Sequence, residues 1–199
     1  MEQLNNNERI ILGIDPGTAV MGYGLLKEMG SKIELISLGV VKMEKMDDHM
    51  LKLQRIFEKT LALIDNYHPD CLAIEAPFYG KNIQVMLKLG RAQGMAIAAA
   101  LSRNIEITEY APRKIKQSIT GNGNATKEQV AAMLQNLLKF KETPEFLDAT
   151  DGLAVAVCHS FQKIGTSTGK TSSKKSYSGW ETFVKDNTNR IASPIKFKK

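Results

Sequence analysis

The sequence predicts an α/β fold with a five-stranded mixed sheet and helices packed on it. Short apolar runs have the length of strands, and longer segments repeat apolar residues at helical spacing. In chain order these are three strands, then a helix, a strand, a helix and a strand, and finally three helices. This alternation favours a mixed sheet covered by helices. With 199 residues and 43% apolar composition, the chain can bury a substantial core.

The first three strands are predicted to form an antiparallel meander. They are the segments IILGID, AVMGYGLLKE and ISLGVVKM at residues 10–15, 19–28 and 36–43. Turn-like segments containing Gly and Lys separate them, so each strand can return beside the one before it.

Helix and strand then alternate. Apolar residues recur at helical spacing over residues 48–67, and Pro69 stops the pattern. CLAIEAP at residues 71–77 has the composition of a buried strand. Residues 82–102 carry apolar side chains on more than one face, which predicts a long, largely buried helix. IEITEY at residues 105–110 is the fifth predicted strand.

The end of the predicted domain is helical. Residues 111–120 predict a helix, and the loop GNGN follows them. Thr126 and Gln129 have the spacing of a capping box, which opens the next helix. Residues 147–161, LDATDGLAVAVCHSF, are predicted to form the closing helix despite Gly152.

Composition predicts one domain at residues 9–161, with a flexible N-terminus at residues 1–8 and a disordered tail at residues 162–199. The tail is rich in Ser, Thr, Gly and Lys and cannot bury enough apolar surface to offset its chain entropy. It also supplies most of the net charge of +6, because it has nine Lys/Arg against two acids. Within the domain, residues 77–141 have a net charge of +7 and acidic segments flank them. A clustered basic region of this kind suits a polyanionic partner.

The sequence predicts a soluble cytoplasmic protein. Cys71 and Cys158 lie in apolar stretches, where reduced thiols pack as small hydrophobic groups. We find no N-terminal signal pattern, and the longest apolar run, residues 95–101, is far shorter than the roughly 20 residues of a membrane span.

Four acids stand out by their positions. Asp15 ends the first strand, Glu75 ends the apolar run CLAI, and Asp148 and Asp151 lie at i, i+3 spacing near the start of the final helix. A carboxylate in such a place is stable only when a cation or hydrogen-bond donors compensate it. If the first and fourth strands are neighbours, these acids meet at one edge of the sheet. Oxygen ligands favour Mg²⁺ or Mn²⁺.

Each signal has another interpretation when taken alone. Asp15 begins the run DPGT, which is also a typical turn. Asp148 and Asp151 could instead complement the dipole at the helix N-terminus. Glu75 has no evident structural use, and the three features together favour a metal site.

The segments ILGIDPGT, GYG, LAIEAPFYGKN, LKLGRAQG, EYAPRKIKQSITGNGNATKEQV and DATDGLAVAVCH closely resemble the RuvC family of bacterial Holliday-junction resolvases. The resemblance covers roughly residues 9–161. It implies a ribonuclease-H-like fold with helices on both faces of the sheet. It also implies a homodimer that nicks two like-polarity strands of a four-way DNA junction symmetrically, together with branch-migration motor proteins of the RuvA and RuvB type.

The resemblance also implies the chemistry. The family's four metal-binding acids fall on Asp15, Glu75, Asp148 and Asp151, the acids already selected by position. Two Mg²⁺ ions per site, for which Mn²⁺ may substitute, would support phosphodiester hydrolysis to 5′-phosphate and 3′-hydroxyl ends in recombination and DNA repair.

Five further residues are candidate DNA contacts by the same resemblance. Phe78 matches an aromatic residue that contacts DNA near the cut, although it could instead be a core aromatic. Lys116 and Lys127 match lysines near the cut strand and could also be ordinary surface lysines. Lys81 and Arg91 are candidate contacts to the DNA backbone.

Two other classes of protein remain to be distinguished. Actin-like ATPases and sugar kinases also have a strand ending in Asp-x-Gly-Thr, but they need two such lobes, and this chain has one copy. A junction-binding module without catalytic activity would not need all four acids.

Overall fold

The computed structural model describes residues 8–77, 82–140 and 147–167. These residues form five strands and five helices in the predicted order: β1 (Glu8–Asp15), β2 (Val20–Met29), β3 (Lys32–Lys42), α1 (His49–Tyr67), β4 (Cys71–Glu75), α2 (Ile83–Leu101), β5 (Glu106–Tyr110), α3 (Pro112–Thr120), α4 (Lys127–Leu138) and α5 (Leu147–Ser167).

The strands form one mixed sheet in the order β3-β2-β1-β4-β5. Neighbouring strands of the meander β1 to β3 are antiparallel, whereas β4 is parallel to both β1 and β5. The prediction of a five-stranded mixed sheet that starts with an antiparallel meander is therefore confirmed.

Helices cover both faces of the sheet because side chains alternate between the faces along each strand. In β1, Leu12 and Ile14 are buried in a cluster with residues of α1 and α2. Ile11, which precedes Leu12 and so points to the opposite face, is buried in a second cluster with residues of α3, α4 and α5. The predicted two-sided packing is confirmed, and both cysteines are buried free thiols.

The same alternation places two of the candidate acids on the α5 face. Asp15 is four residues after Ile11, so its side chain has the same phase. In β4, Cys71 and Ala73 belong to the α5 cluster, and Glu75 continues their phase. Both acids therefore point toward the face on which α5 packs.

Glycines let α5 approach the sheet closely. A Cβ atom built on Gly24 would lie 2.4 Å from Leu153 Cα, and one built on Gly13 would lie 2.3 Å from the carbonyl oxygen of Gly152. Real Cβ atoms do not come so near to backbone atoms, so any larger residue would push the helix away.

We expect Gly24→Ala to destabilise the protein by about 1–3 kcal/mol, the usual cost of overpacking a core. For a domain of this size, that corresponds to a loss of roughly 2–4 °C in melting temperature per kcal/mol. Because α5 also carries Asp148 and Asp151, the substitution should also displace these two acids. Thermal unfolding followed by circular dichroism measures the first effect, and an unchanged melting temperature would contradict the close packing.

Three details of the prediction were wrong: the burial of one helix and two boundaries. Helix α2 was predicted to be largely buried, but Ile83 and Leu87 in its first half are 69% and 52% exposed. Its buried residues begin at Ala92, since periodicity identifies an apolar stripe but not the turns that have a partner. Helix α5 ends at Ser167 rather than at residue 161, because a formed helix extends at little cost per residue. Glu8, assigned to the flexible N-terminus, begins β1.

The tail was predicted at residues 162–199, but residues 162–167 belong to α5. Residues 168–199 and the N-terminal residues 1–7 lie outside the described residues. Among the described helices, none is both long and apolar enough to cross a membrane.

Candidate active site

Asp15 and Glu75 meet at the carboxyl ends of two neighbouring strands. β1 and β4 are parallel, and Ile14 is paired with Ile74 in their register. The next residue on each strand is the acid, so both carboxylates leave the sheet at the same edge and on the same face.

Helix α5 brings the other two acids to this edge. Asp15 is paired with Gly22 across β1 and β2, and the carbonyl oxygen of Asp148 lies directly against Gly22, 1.8 Å from where a Cβ atom would be. The first turn of α5 therefore lies over the end of β1. Asp151 follows one helical turn later and lines a cleft together with Asp15 and Glu75.

Two clefts adjoin on Asp15 and Glu75. The first has a volume of about 230 Å³ and also contains Asp151, Lys116 and Lys127. The second, of about 280 Å³, contains Asp148 instead. Since a water molecule takes up roughly 30 Å³, each cleft has room for a hydrated ion or part of a phosphate group.

Lys127 is the cation that contacts the acids in this conformation. It is the first residue of α4, held in place by the capping box of Thr126 and Gln129. Its Nζ lies 3.0 Å from Asp148 Oδ1 and 2.5 Å from Asp151 Oδ2. Asp151 Oδ2 is buried yet has no partner with hydrogen-bond geometry among the described residues, so the ammonium group only partly satisfies it.

Burial and repulsion between carboxylates raise the pKa of three of the acids: Glu75, Asp15 and Asp151. Burial is the main cause that raises the pKa of Glu75 to about 8, and Asp15 and Asp151 add to it while Lys127 and Lys116 oppose it. Burial likewise raises the pKa of Asp15 to about 6, with repulsion from Asp151. The pKa of Asp151 is raised by burial against the opposing effect of Lys127. The two lysines thus do not fully compensate the negative charge of the cluster.

The donor chemistry fits a divalent cation. All four side chains are carboxylates, the ligands that Mg²⁺ prefers, and the buried Oδ2 of Asp151 is only partly satisfied by Lys127. No group of three or more His, Cys, Asp or Glu in the described residues is already arranged to hold a metal ion. The Lys127 ammonium contacts Asp148 and Asp151 in this structure.

We expect metal binding to become more stabilising as the pH rises. A raised carboxyl pKa means that the folded protein keeps a proton that the unfolded chain has lost, so metal-free stability falls between the ordinary Glu pKa of 4.5 and about 8. A divalent cation needs these groups ionised, and its binding must release their protons. The increase in melting temperature caused by Mg²⁺ should therefore be larger at pH 8 than at pH 6. An increase independent of pH would contradict the raised pKa values.

Only two of the five predicted DNA contacts lie beside the acids among the described residues. Lys116 and Lys127 both line the cleft beside the acids. Arg91 is exposed on α2 and is absent from the lining of both clefts. Phe78 and Lys81 lie outside the described residues. Gln93, which donates a hydrogen bond to the backbone carbonyl of Glu75, was not among the residues predicted from the sequence. The available signal was a single polar residue in the alanine-rich second half of α2.

The sheet topology, the helices on both faces and the carboxylates at the ends of the central strands define the class of ribonuclease-H-like nucleases. The profile of the family described as crossover junction endodeoxyribonuclease RuvC matches residues 11–159. The chain belongs to the RuvC family.

Individual relatives agree with this assignment. Proteins named crossover junction endodeoxyribonuclease RuvC from Christiangramia forsetii and Bacteroides fragilis are 60% and 57% identical to the chain. These matches cover 93% and 92% of this chain and 94% and 96% of the relatives. The structure of T. thermophilus RuvC in complex with Holliday junction substrate is 30% identical, with a TM-score of 0.73 over 79% of this chain and 96% of that one.

Proposed function

We propose that this protein is a metal-dependent crossover junction endodeoxyribonuclease. It would resolve Holliday junctions in recombination and DNA repair by paired symmetric nicks on two strands of like polarity, giving 5′-phosphate and 3′-hydroxyl ends. The observation that carries the proposal is the meeting of Asp15, Glu75, Asp148 and Asp151 at one edge of the sheet, beside two lysines, in a chain of the RuvC family. The relative in complex with a Holliday junction supports the choice of substrate.

The acids would hold two Mg²⁺ ions, with Mn²⁺ as a possible substitute. Asp15 and Glu75 line both clefts, whereas Asp151 lines one and Asp148 the other, so all four acids would be available to hold the ions. When bound, the ions would activate the attacking water and stabilise charge on the leaving 3′ oxygen.

Two lysines would act on the DNA phosphate. Lys116 and Lys127 lie on α3 and α4 and line the first cleft together with Asp15, Glu75 and Asp151. A phosphate entering this cleft would meet both ammonium groups beside the carboxylates. The ammonium groups would bind its oxygens and stabilise the negative charge that develops during cleavage.

The exposed face of α2 would form a homodimer interface. Ile83, Leu87, Gly90, Gly94 and Leu101 follow one another at spacings of four, three, four and seven residues, so they share one face of the helix. The three large residues are more than half exposed, and nothing lies within 4 Å of a Cβ atom built on either glycine. A second copy of α2 could pack closely there. A twofold dimer would present two identical sites to the two strands.

We expect Leu87→Asp to convert the dimer to a monomer without unfolding the chain. Leu87 is 52% exposed in the single chain, so the charge costs little there, but it would be buried without a partner between two α2 helices. Met133→Asp on α4, where the side chain is 45% exposed, is the matched control and should remain dimeric. Sedimentation at micromolar concentration measures the state. A dimer that survives the Leu87 change would contradict this interface.

Other predictions follow from the proposed function. Phe78, Lys81 and Arg91 remain candidate DNA contacts, and motor proteins of the RuvA and RuvB type remain candidate partners. A bacterial enzyme that acts on the chromosome would work in the cytoplasm, as the sequence analysis expected.

Incubation with a synthetic four-way junction, with Mg²⁺ and with EDTA, tests the proposed function. Two symmetric nicks are expected with Mg²⁺ and none with EDTA, while a linear duplex serves as the control substrate. Binding of the junction without cleavage at any metal concentration would instead indicate a non-catalytic module. Hydrolysis of ATP in the absence of DNA would indicate the actin-like class.

A further inference from the structure

Gln93 is a buried polar residue on an otherwise alanine-lined face of α2. Its side chain is 8% exposed, and the other buried residues of the helix are Ala92, Ala96, Ala99 and Ala100. A buried amide is unfavourable unless its hydrogen-bonding groups find partners. The hydrogen-bond partners of Gln93 therefore indicate its role.

Gln93 bonds the backbone of a proposed metal ligand. Its Nε2 donates to the carbonyl oxygen of Glu75 at 3.3 Å and to Glu109 Oε2 at 2.8 Å. An amide nitrogen has two hydrogens, so these two bonds use both of them. Glu109 lies on β5 and is paired with Ile74, the residue before Glu75. Gln93 thus joins α2 to the ends of two adjacent strands.

Glu75 lies at the end of its strand, where a hydrogen bond from Gln93 can fix the position of its backbone. It is the last residue of β4, and Ala76 and Pro77 leave the strand immediately after it. Its carboxylate is buried beside Asp15 and Asp151, and their charges repel it. The hydrogen bond from Gln93 holds the backbone of Glu75 at this point, and groups that hold a metal ligand in place strongly affect metal affinity and activity.

We propose that Gln93 is a positioning residue, which fixes the backbone of Glu75 from helix α2 and so sets where the Glu75 carboxylate stands in the active site. The inference rests on the proposed nuclease function. Glu109 acts through Gln93 by orienting its amide, and neither residue touches the substrate.

Gln93→Met tests the proposal because it keeps the length and apolar stem of the side chain and removes the donor. We expect a fall of about 10- to 100-fold in kcat, the usual result of losing support around a metal ligand. The Mg²⁺ concentration for half-maximal cleavage should rise, and Mg²⁺ should raise the melting temperature less than in the wild type. Junction binding in EDTA and KM for the junction should stay unchanged. Gln84→Met, at an exposed position of the same helix, is the matched control.

A double-mutant cycle separates positioning from simple packing. Glu109→Ala leaves the bond from Gln93 to Glu75 in place, so its effect on Mg²⁺ dependence should be smaller and in the same direction. The double variant should be no worse than Gln93→Met alone, since Glu109 acts through Gln93. Glu109 is exposed, so its variant remains informative even if Gln93→Met does not fold.

The outcomes distinguish this inference from the proposed function. Cleavage by the wild type with unchanged Mg²⁺ dependence in both variants would overturn the role of Gln93 alone. The same holds if Gln93→Met only lowers the melting temperature equally with and without Mg²⁺. Absence of cleavage by the wild type would overturn the proposed nuclease function. The effect of Mg²⁺ on the melting temperatures would still test the positioning role of Gln93.

Discussion

Asp15→Asn is expected to abolish junction cleavage while junction binding remains. The substitution keeps the shape of the side chain and removes a charge that lies on both clefts. Metal ions supply several kcal/mol of transition-state stabilisation. Since 1.36 kcal/mol corresponds to a factor of ten, the rate should fall by roughly a thousandfold or more. Removing negative charge does not weaken attraction to DNA, so the dissociation constant in EDTA should not increase.

The same variant should be more stable than the wild type without metal. Asp151 and Asp148 repel the charge of Asp15, and that charge is buried, so a neutral amide relieves the unfavourable interaction. Its melting temperature in EDTA should rise, and the stabilisation by Mg²⁺ should largely disappear. Glu106→Gln, an equal charge change at an exposed position of β5, is the control for both measurements. Normal cleavage by Asp15→Asn would refute the assignment of the site.

Lys127→Met is expected to produce the second-largest loss of activity. Unlike Asp15→Asn, it should increase the stabilisation by Mg²⁺. Loss of a group that stabilises charge during the reaction typically slows it by about 10²–10³ fold. In the metal-free protein, Lys127 is also the partner of Asp148 and Asp151. Its removal leaves two carboxylates without that cation, so the melting temperature in EDTA should fall.

Mg²⁺ should stabilise the Lys127→Met variant more than the wild type. If Asp148 and Asp151 hold the metal as proposed, an ion in the wild type would have to displace the Lys127 ammonium from them, whereas the variant offers no such competitor. Melting temperatures measured across a Mg²⁺ titration test this, with Lys45→Met at an exposed turn as the control. Slower cleavage without a larger metal effect would show that Lys127 acts on the DNA alone.

The fold and the four acids could be predicted because their signals are local. Strand periodicity and short apolar runs gave all five strands, although their ends shifted by a few residues. An acid that ends a buried strand is visible in the sequence, and parallel pairing of two such strands is enough to bring Asp15 and Glu75 together. Asp148 and Asp151 are on one helix, where spacing alone sets their relation.

Contacts between separate elements could be decided only by the tertiary structure. The ion pairs of Lys127 depend on how α4 lies against α5, and no spacing in the sequence encodes the distance between those helices. Gln93 reaches Glu75 because α2 packs against the ends of β4 and β5. The sequence by itself determined which carboxylates are the candidates for the site, since charge and strand phase are properties of single segments. The tertiary structure decided which cation and which amide hold them, since those depend on the packing of helices that lie far apart along the chain.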